Sequence, residues 1–292
     1  FHPERFVGAV QPFDGSFRVA TEKGERFLAH GKDPFFPGWT DTVQVEYRNW
    51  GARRAMATIL GAIADRCDGV RCDMAMLVLE NVFERTWEHV PYAGDAARGE
   101  FWAEAISAVR ERHPDFLFLA EAYWGLEERL CDVGFDFAYD KTLYDRLVHD
   151  DGEGVVSHVL GMGGMNARRA HFLENHDEPR LASAFGKERI MSALVTTLCL
   201  PGMRFLHDGQ VEGLRRFARI QLGRRGGERQ DPEIFQVHEL VLRAVRESAV
   251  GGSAWRILTP KPAWRGNGSH RAFLIVLWED GERRDLVVIN LA

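Results

Sequence analysis

Between Gly51 and Glu247 the chain alternates short apolar runs with amphipathic stretches five times, and no other feature constrains its fold as much. Ala55, Ile59, Ala62, Ile63 and Cys67 recur at helical spacing, Asp68-Gly69 ends that helix, and the strand Val70 to Asp73 follows. An amphipathic region over about 95–112 closes at His113-Pro114 and feeds the strand FLFLAE. Next come a short strand around Phe135 to Tyr139, a helical piece near 141–148 and the strand HFLEN. A helix over about 187–199, the strand MRFLH and a helix over about 233–247 complete the series. Strands and helices in this order wind as right-handed βαβ units around a parallel sheet, so the expected fold class is α/β.

The flanks read differently. Residues 1–48 are rich in Gly, Pro and aromatics, with a hairpin expected around Gly24, and are read as a loop or small subdomain. Residues 49–250 form the main α/β region. After Gly251-Gly252 the runs AWRIL, RAFLIVLWE and RDLVVINLA alternate without helices, and Asp280-Gly281 is a hairpin signal, so 251–292 are read as the start of a small antiparallel β domain.

Three of the apolar runs end in an acid: GVRCDMAML with Asp73, FLFLAEAYW with Glu121 and HFLENHDEP with Asp177. The carboxyl end of a strand is where a parallel barrel presents side chains to a ligand. Side chains alternate faces along a strand, so Arg71 shares a face with Asp73 and should keep that carboxylate ionised, as a nucleophile must be. Glu121 shares a face with Leu117 and Leu119 and lies beneath Tyr123-Trp124. A partly dry aromatic setting raises a carboxyl pKa and suits a general acid near neutrality. Aromatic faces also suit the apolar faces of sugar rings. By the same parity Asn175 and Asp177 share a face with Leu173, and His176 adds a second polar group for hydroxyls. Taken singly, Asp73 reads better as an ion-paired barrel acid, Glu121 equally well as a helix-start acid, and Asn175-His176-Asp177 can be read as an N-cap; in this order and at strand ends, those readings need three coincidences.

The segments GVRCD, AEA and NHDEP resemble three short motifs of the α-amylase family of glycoside hydrolases and transglycosylases. The resemblance implies that Asp73 is the nucleophile with Arg71 its partner, Glu121 the acid/base, and Asp177 with His176 the clamp on sugar hydroxyls. Asn175, Tyr123 and Trp124 join the expected substrate contacts. WTDTVQVEYRNWGARRAM and LPGMRFLHDGQVEG also resemble family segments, so the likeness extends over most of the chain. It implies a TIM (β/α)8 barrel, incomplete here at about strands 4 to 8, because no counterpart of the family's first motif precedes Asp73. The implied reaction is a retaining double displacement on α-glucosidic bonds of α-glucans or of maltose- or trehalose-type sugars, with the two carboxyls about 5–5.5 Å apart. Met76-Leu77 replace the family's usual Lys-His pair, and the 48 residues from Asp73 to Glu121 resemble the trehalose synthase and maltosyltransferase branches.

Composition narrows the partners. With 43 acidic against 37 basic residues and a net charge of -6, nothing invites nucleic acid or an anionic membrane, and no apolar run is long enough to span one. The expected partner is a carbohydrate substrate; oligomeric state is not legible. Four scattered cysteines read as reduced thiols and favour a cytoplasmic setting. The spacing of His171, His176 and His207 fits no zinc motif, so no metal and no cofactor are expected, and no residue pattern calls for calcium. His207, Asp208 and Gln210, at the end of the last strand, are read as either substrate contacts or loop supports. Phe35, Phe36, Met74 and Met76 are expected to pack. The chain opens FHPERFV without an initiator Met and is read as a piece of a longer enzyme, inactive by itself. The rival readings are a non-catalytic α-amylase-like scaffold and an unrelated metal-dependent barrel hydrolase.

Overall fold

A computed structural model describes residues 2–22, 24–218 and 226–292. The chain divides into a first unit, Phe1–Ala138, and a second, Tyr139–Ala292.

The first unit begins with the short antiparallel strands β1 (Gly8–Ala9), β2 (Ser16–Thr21), β3 (Gly24–Gly31) and β4 (Trp39–Val43), with β3 pairing to the other three. The β2–β3 turn passes through Gly24 at φ 106°, a backbone region that favours glycine. Asn49 then starts α1 (Trp50–Ala64) by accepting the Ala52 N–H on its side chain. Ala52, Leu60 and Ala64 are the buried apolar residues of α1, whereas Ile59, one of the residues that marks the helix in the sequence, is 50% exposed. Small apolar residues occur on both sides of this helix, and periodicity alone does not choose between them.

Then follow β5 (Gly69–Cys72), α2 (Glu80–Trp87), α3 (Phe101–Arg110), β6 (Leu117–Ala120), α4 (Glu127–Asp132) and β7 (Phe137–Tyr139). Parallel pairing runs from Gly69↔Leu117 to Cys72↔Ala120, and β6 pairs with β7 at Leu119↔Phe137 and Ala120↔Ala138. This register brings two strand ends level. Asp73 and Glu121 are each the next residue after the last β5–β6 pair, so two acids 48 residues apart leave the sheet side by side. Gly69 permits this approach, since a Cβ there would lie 2.9 Å from both Leu117 Cβ and its carbonyl oxygen. The sheet is anchored by buried aromatics: Phe101, Trp102, Phe118 and Phe135 are at most 6% exposed. Each such side chain contributes roughly 1.5–3 kcal/mol through burial.

In the second unit the chain leaves β7 with the Asp140 N–H donating to the Ala170 carbonyl. Its elements are α5 (Lys141–Val148), α6 (Gly152–Met162), β8 (Arg169–His171), α7 (Leu181–Ala184), α8 (Lys187–Cys199), β9 (Met203–Arg204) and α9 (Pro232–Glu247), then β10 (Ala254–Leu258), β11 (Phe273–Asp280) and β12 (Arg283–Asn290). β8 and β9 pair in parallel, and β10-β11-β12 form an antiparallel sheet whose last hairpin turns through Gly281 at φ 60°. Leu143, Val159, Leu194, Val241, Leu274 and Trp278 belong to one core uniting helices α5, α6, α8 and α9 with β11. The Trp278 indole N–H donates to the Cys199 carbonyl at 2.8 Å.

Several expectations need correction. β8 lies earlier and is shorter than the run HFLEN, so residues 172–177 are not strand and strand parity does not place Leu173, Asn175 and Asp177 on one face. Of MRFLH only Met203 and Arg204 pair. Phe35 and Phe36 are 68% and 70% exposed rather than packed, while Met76 is fully buried. All four cysteines are thiols, with Cys67 exposed and the others buried. No helix among the described residues is long and apolar enough to cross a membrane.

Candidate active site

Glu121 is the centre of the cluster in the first unit. Burial in the unit leaves its side chain 4% exposed, while that of Asp73, one residue past the end of β5, is 79% exposed. The Asp73 and Glu121 carboxyls are close enough to hydrogen-bond to one another. Arg71, on β5, bridges them: one guanidinium nitrogen lies 3.4 Å from Asp73 Oδ1 and the other 2.9 Å from Glu121 Oε2. The sequence had paired Arg71 with Asp73 alone; its shorter contact is to Glu121. The Met74 N–H donates to Glu121 Oε2 at 2.6 Å and the Tyr123 hydroxyl to Oε1 at 2.8 Å.

The electrostatic balance of Glu121 comes from these contacts. Burial raises its pKa most and the neighbouring Asp73 carboxyl raises it further, whereas the Met74 N–H, Arg71 and Tyr123 lower it; the net result is about 7. A carboxyl poised there both delivers and accepts a proton near neutrality.

Trp124 comes next, with a left-handed backbone at φ 65° and its side chain 42% exposed. Its ring meets Phe35 edge-on at a centroid distance of 5.1 Å. Asp33, 6% exposed, holds that neighbour in place by accepting the N–H groups of Phe35 and Phe36 at 2.6 and 2.8 Å. The exposure of Phe35 was not legible from composition, because an aromatic pair in a loop reads as packing unless the turn that displays it is known.

The second unit holds Asn175, His176 and Asp177. Asn175 is 1% exposed and spends its Oδ1 on the N–H groups of Asp177 and Glu178, at 2.9 and 3.0 Å, which forms a tight turn. His176 Nε2 lies 3.1 Å from Asp177 Oδ2, and the Asp177 side chain is 55% exposed. Beneath this turn is an ionic cluster that sequence reading missed. Glu174, fully buried, has Oε1 3.2 Å from Arg180 and 3.1 Å from His207 Nδ1, and its Oε2 accepts the Leu181 N–H at 2.5 Å. Arg180 also donates to the Asp208 carbonyl, and the Gln210 N–H donates to that of His207. His207, Asp208 and Gln210 therefore support the loop. The signal was present in the sequence, since Glu174 sits beside Asn175, but only the fold brings Arg180 and His207 to it.

His171 is likewise engaged, with Nδ1 3.1 Å from Asp140 Oδ2 and Nε2 2.9 Å from the Pro201 carbonyl. Among the described residues no three His, Cys, Asp or Glu side chains converge as a metal-binding group.

No family model matches the chain. It is 28% identical over 222 residues to the α-amylase MalA of Haloarcula japonica, covering 73% of this chain and 30% of that protein. It is 22% identical over 191 residues to α-amylase 3 of Dictyoglomus thermophilum, covering 60% and 36%. The chain thus spans about a third of the length of these relatives. Among solved structures, Amy13B of Eubacterium rectale matches 99% of the chain at a TM-score of 0.71 and 12% identity, covering 62% of that protein. The debranching enzyme of Nostoc punctiforme matches 100% at 0.67 and 15% identity, covering 60%. These likenesses establish the fold: parallel strands with helices, followed by an antiparallel sheet. In sequence the chain is similar to these α-amylases over most of its length.

Proposed function

We propose that this chain carries the catalytic carboxylates of a retaining enzyme that cleaves or transfers α-glucosidic bonds in α-glucans or in maltose- or trehalose-type oligosaccharides. Asp73 is the nucleophile, Glu121 the acid/base and Asp177 the group that stabilises the oxocarbenium-like transition state together with His176. Arg71 orients both carboxyls of the first unit, Trp124 and Tyr123 face the sugar, and Asn175 holds the turn that carries Asp177. We read strands β5 to β9 as the fourth to eighth of a (β/α)8 barrel, a reading supported by the helix that follows each one.

One observation carries the assignment: a buried acid with its pKa raised to about 7 touches an exposed second carboxyl. Contact between the two favours retention, since an inverting pair stands about 6.5–9.5 Å apart to admit water. In the first step the Asp73 carboxylate attacks the anomeric carbon while Glu121 protonates the leaving oxygen, which gives a covalent glycosyl-enzyme. In the second, Glu121 removes a proton from water or an acceptor hydroxyl, and that oxygen displaces Asp73.

The test is the anomeric configuration of the first product. Incubating the longer enzyme expected from the sequence with α-glucosyl fluoride, with proton NMR as the readout, should show the α-anomer first, and Asp73→Asn should lower turnover by at least about 10³-fold. Release of the β-anomer, or an Asp73→Asn protein as active as the wild type, would overturn the proposal.

A further inference from the structure

Met74, immediately after the candidate nucleophile, has a left-handed backbone with φ 43° and ψ 46°. A non-glycine residue rarely adopts this conformation, and strained backbones of this kind persist where the surroundings impose them. Three hydrogen bonds impose this one. The Met74 N–H donates to Glu121 Oε2 at 2.6 Å, the Ala75 N–H donates to the Glu121 carbonyl at 3.0 Å, and the Trp102 indole donates to the Ala75 carbonyl at 2.8 Å. Residues 74–75 are thereby wrapped onto Glu121 rather than continuing the strand.

The two oxygens of Glu121 consequently have different partners. Oε2 faces the Met74 N–H and the Arg71 guanidinium, both of which only donate. A proton on Oε2 would meet two donors. Oε1 faces the Tyr123 hydroxyl, which rotates to donate when the carboxyl is charged and to accept when it is protonated. Among the described residues, the other charged group against Glu121 is Asp73.

We propose that Met74 is a positioning residue: its left-handed backbone, with Arg71, occupies Glu121 Oε2, so that Oε1 is the oxygen that carries and delivers the proton, with Tyr123 as its relay. This inference rests on the assignment of Glu121 as the acid/base and adds which oxygen acts and what holds it. Nothing on the Met74 side chain is required, only the backbone conformation.

The experiment titrates Glu121 directly by carbon NMR with carboxyl-labelled glutamate, using Glu121→Gln to assign the signal. The wild type should titrate near 7. Met74→Gly keeps the N–H and tolerates the left-handed region, so it should titrate as the wild type does. Met74→Val resists that region, and Tyr123→Phe removes the hydroxyl, so each should shift the midpoint up by about one pH unit, since each loses a hydrogen bond to the charged form. In turnover, Met74→Val should slow unactivated α-glucosides about tenfold while leaving α-glucosyl fluoride, which needs no acid to depart, within about twofold. A Met74→Val midpoint equal to the wild type, or Met74→Gly shifted as far as Met74→Val, would overturn the inference. If Met74→Val does not fold, an unshifted Tyr123→Phe midpoint overturns it alone. Expected midpoints in a protein that turns over no glycoside would leave this clamp standing and remove the proposed function.

Discussion

Buried carboxyls in the two units of this chain are driven to opposite ends by different partners. Glu121 in the first unit is buried with one arginine, one tyrosine and a second carboxyl, and its pKa rises to about 7. In the second unit Asp140 is buried between His158, at 2.8 Å, and His171, at 3.1 Å, and also caps α5 by accepting the Leu143 N–H. Burial pushes the Asp140 pKa up, but the hydrogen bonds and charge of the two histidines outweigh it and hold the carboxyl below its ordinary value. Glu174 is buried with two donors of its own, Arg180 and the Leu181 N–H. Burial by itself therefore does not mark a catalytic acid. What distinguishes Glu121 is a deficit of positive partners next to a second, solvent-facing carboxyl, and Asp73 supplies that.

The comparison breaks most sharply if the sealed cluster tolerates loss of its acid. Glu174→Ala leaves Arg180 buried without its carboxylate and should cost about 3–5 kcal/mol, read as the midpoint of urea unfolding. A cost below about 1 kcal/mol would mean that the cluster does not hold the second unit together.

pH should separate the two clusters with opposite signs. Between the ordinary carboxyl value of 4.5 and about 7 the folded chain holds a proton on Glu121 that the unfolded chain has released. Its contribution to stability is full below 4.5 and is lost as the pH rises through 7. Asp140 behaves conversely: its contribution is full above 3.8 and is lost as the pH falls through its depressed value. Urea midpoints should accordingly show Glu121→Gln gaining on the wild type from pH 5 to pH 8, and Asp140→Asn losing least at the acid end. The opposite trend for Glu121→Gln would show that its pKa is not raised in the folded protein.

The smallest expected effect concerns the aromatic rim. Trp124→Ala should raise KM for an α-glucan about fivefold, the equivalent of roughly 1 kcal/mol of ring contact. Its unfolding midpoint should scarcely change, because the ring is 42% exposed and its backbone is already in a left-handed conformation. A large loss of stability would place Trp124 with the packed residues instead.

Much of the fold was legible in the residues. The helices expected near 141–148 and 187–199 coincide with α5 and α8, because long periodic runs with Asp140 or Gly186 before them leave little choice of start. The strand HFLEN was misplaced because a run of apolar residues next to polar ones reads as strand whether or not its backbone finds a partner. The Phe35-Phe36 pair was misread for a related reason: the Asp33 turn that displays it is a local hydrogen-bond choice with no periodic signature.

By itself the sequence determined the order of elements and the two acids of the first unit, since strand length and the residue at each strand end are local properties. Tertiary structure decided the surroundings of each acid. The β5–β6 register brought Asp73 against Glu121, the left-handed turn at Met74 gave the two oxygens of Glu121 different partners, and long-range contacts filled the coordination of Glu174 and Asp140. A carboxyl pKa depends on donors and solvent arriving from residues distant in the chain, and only the fold fixes which of them arrive.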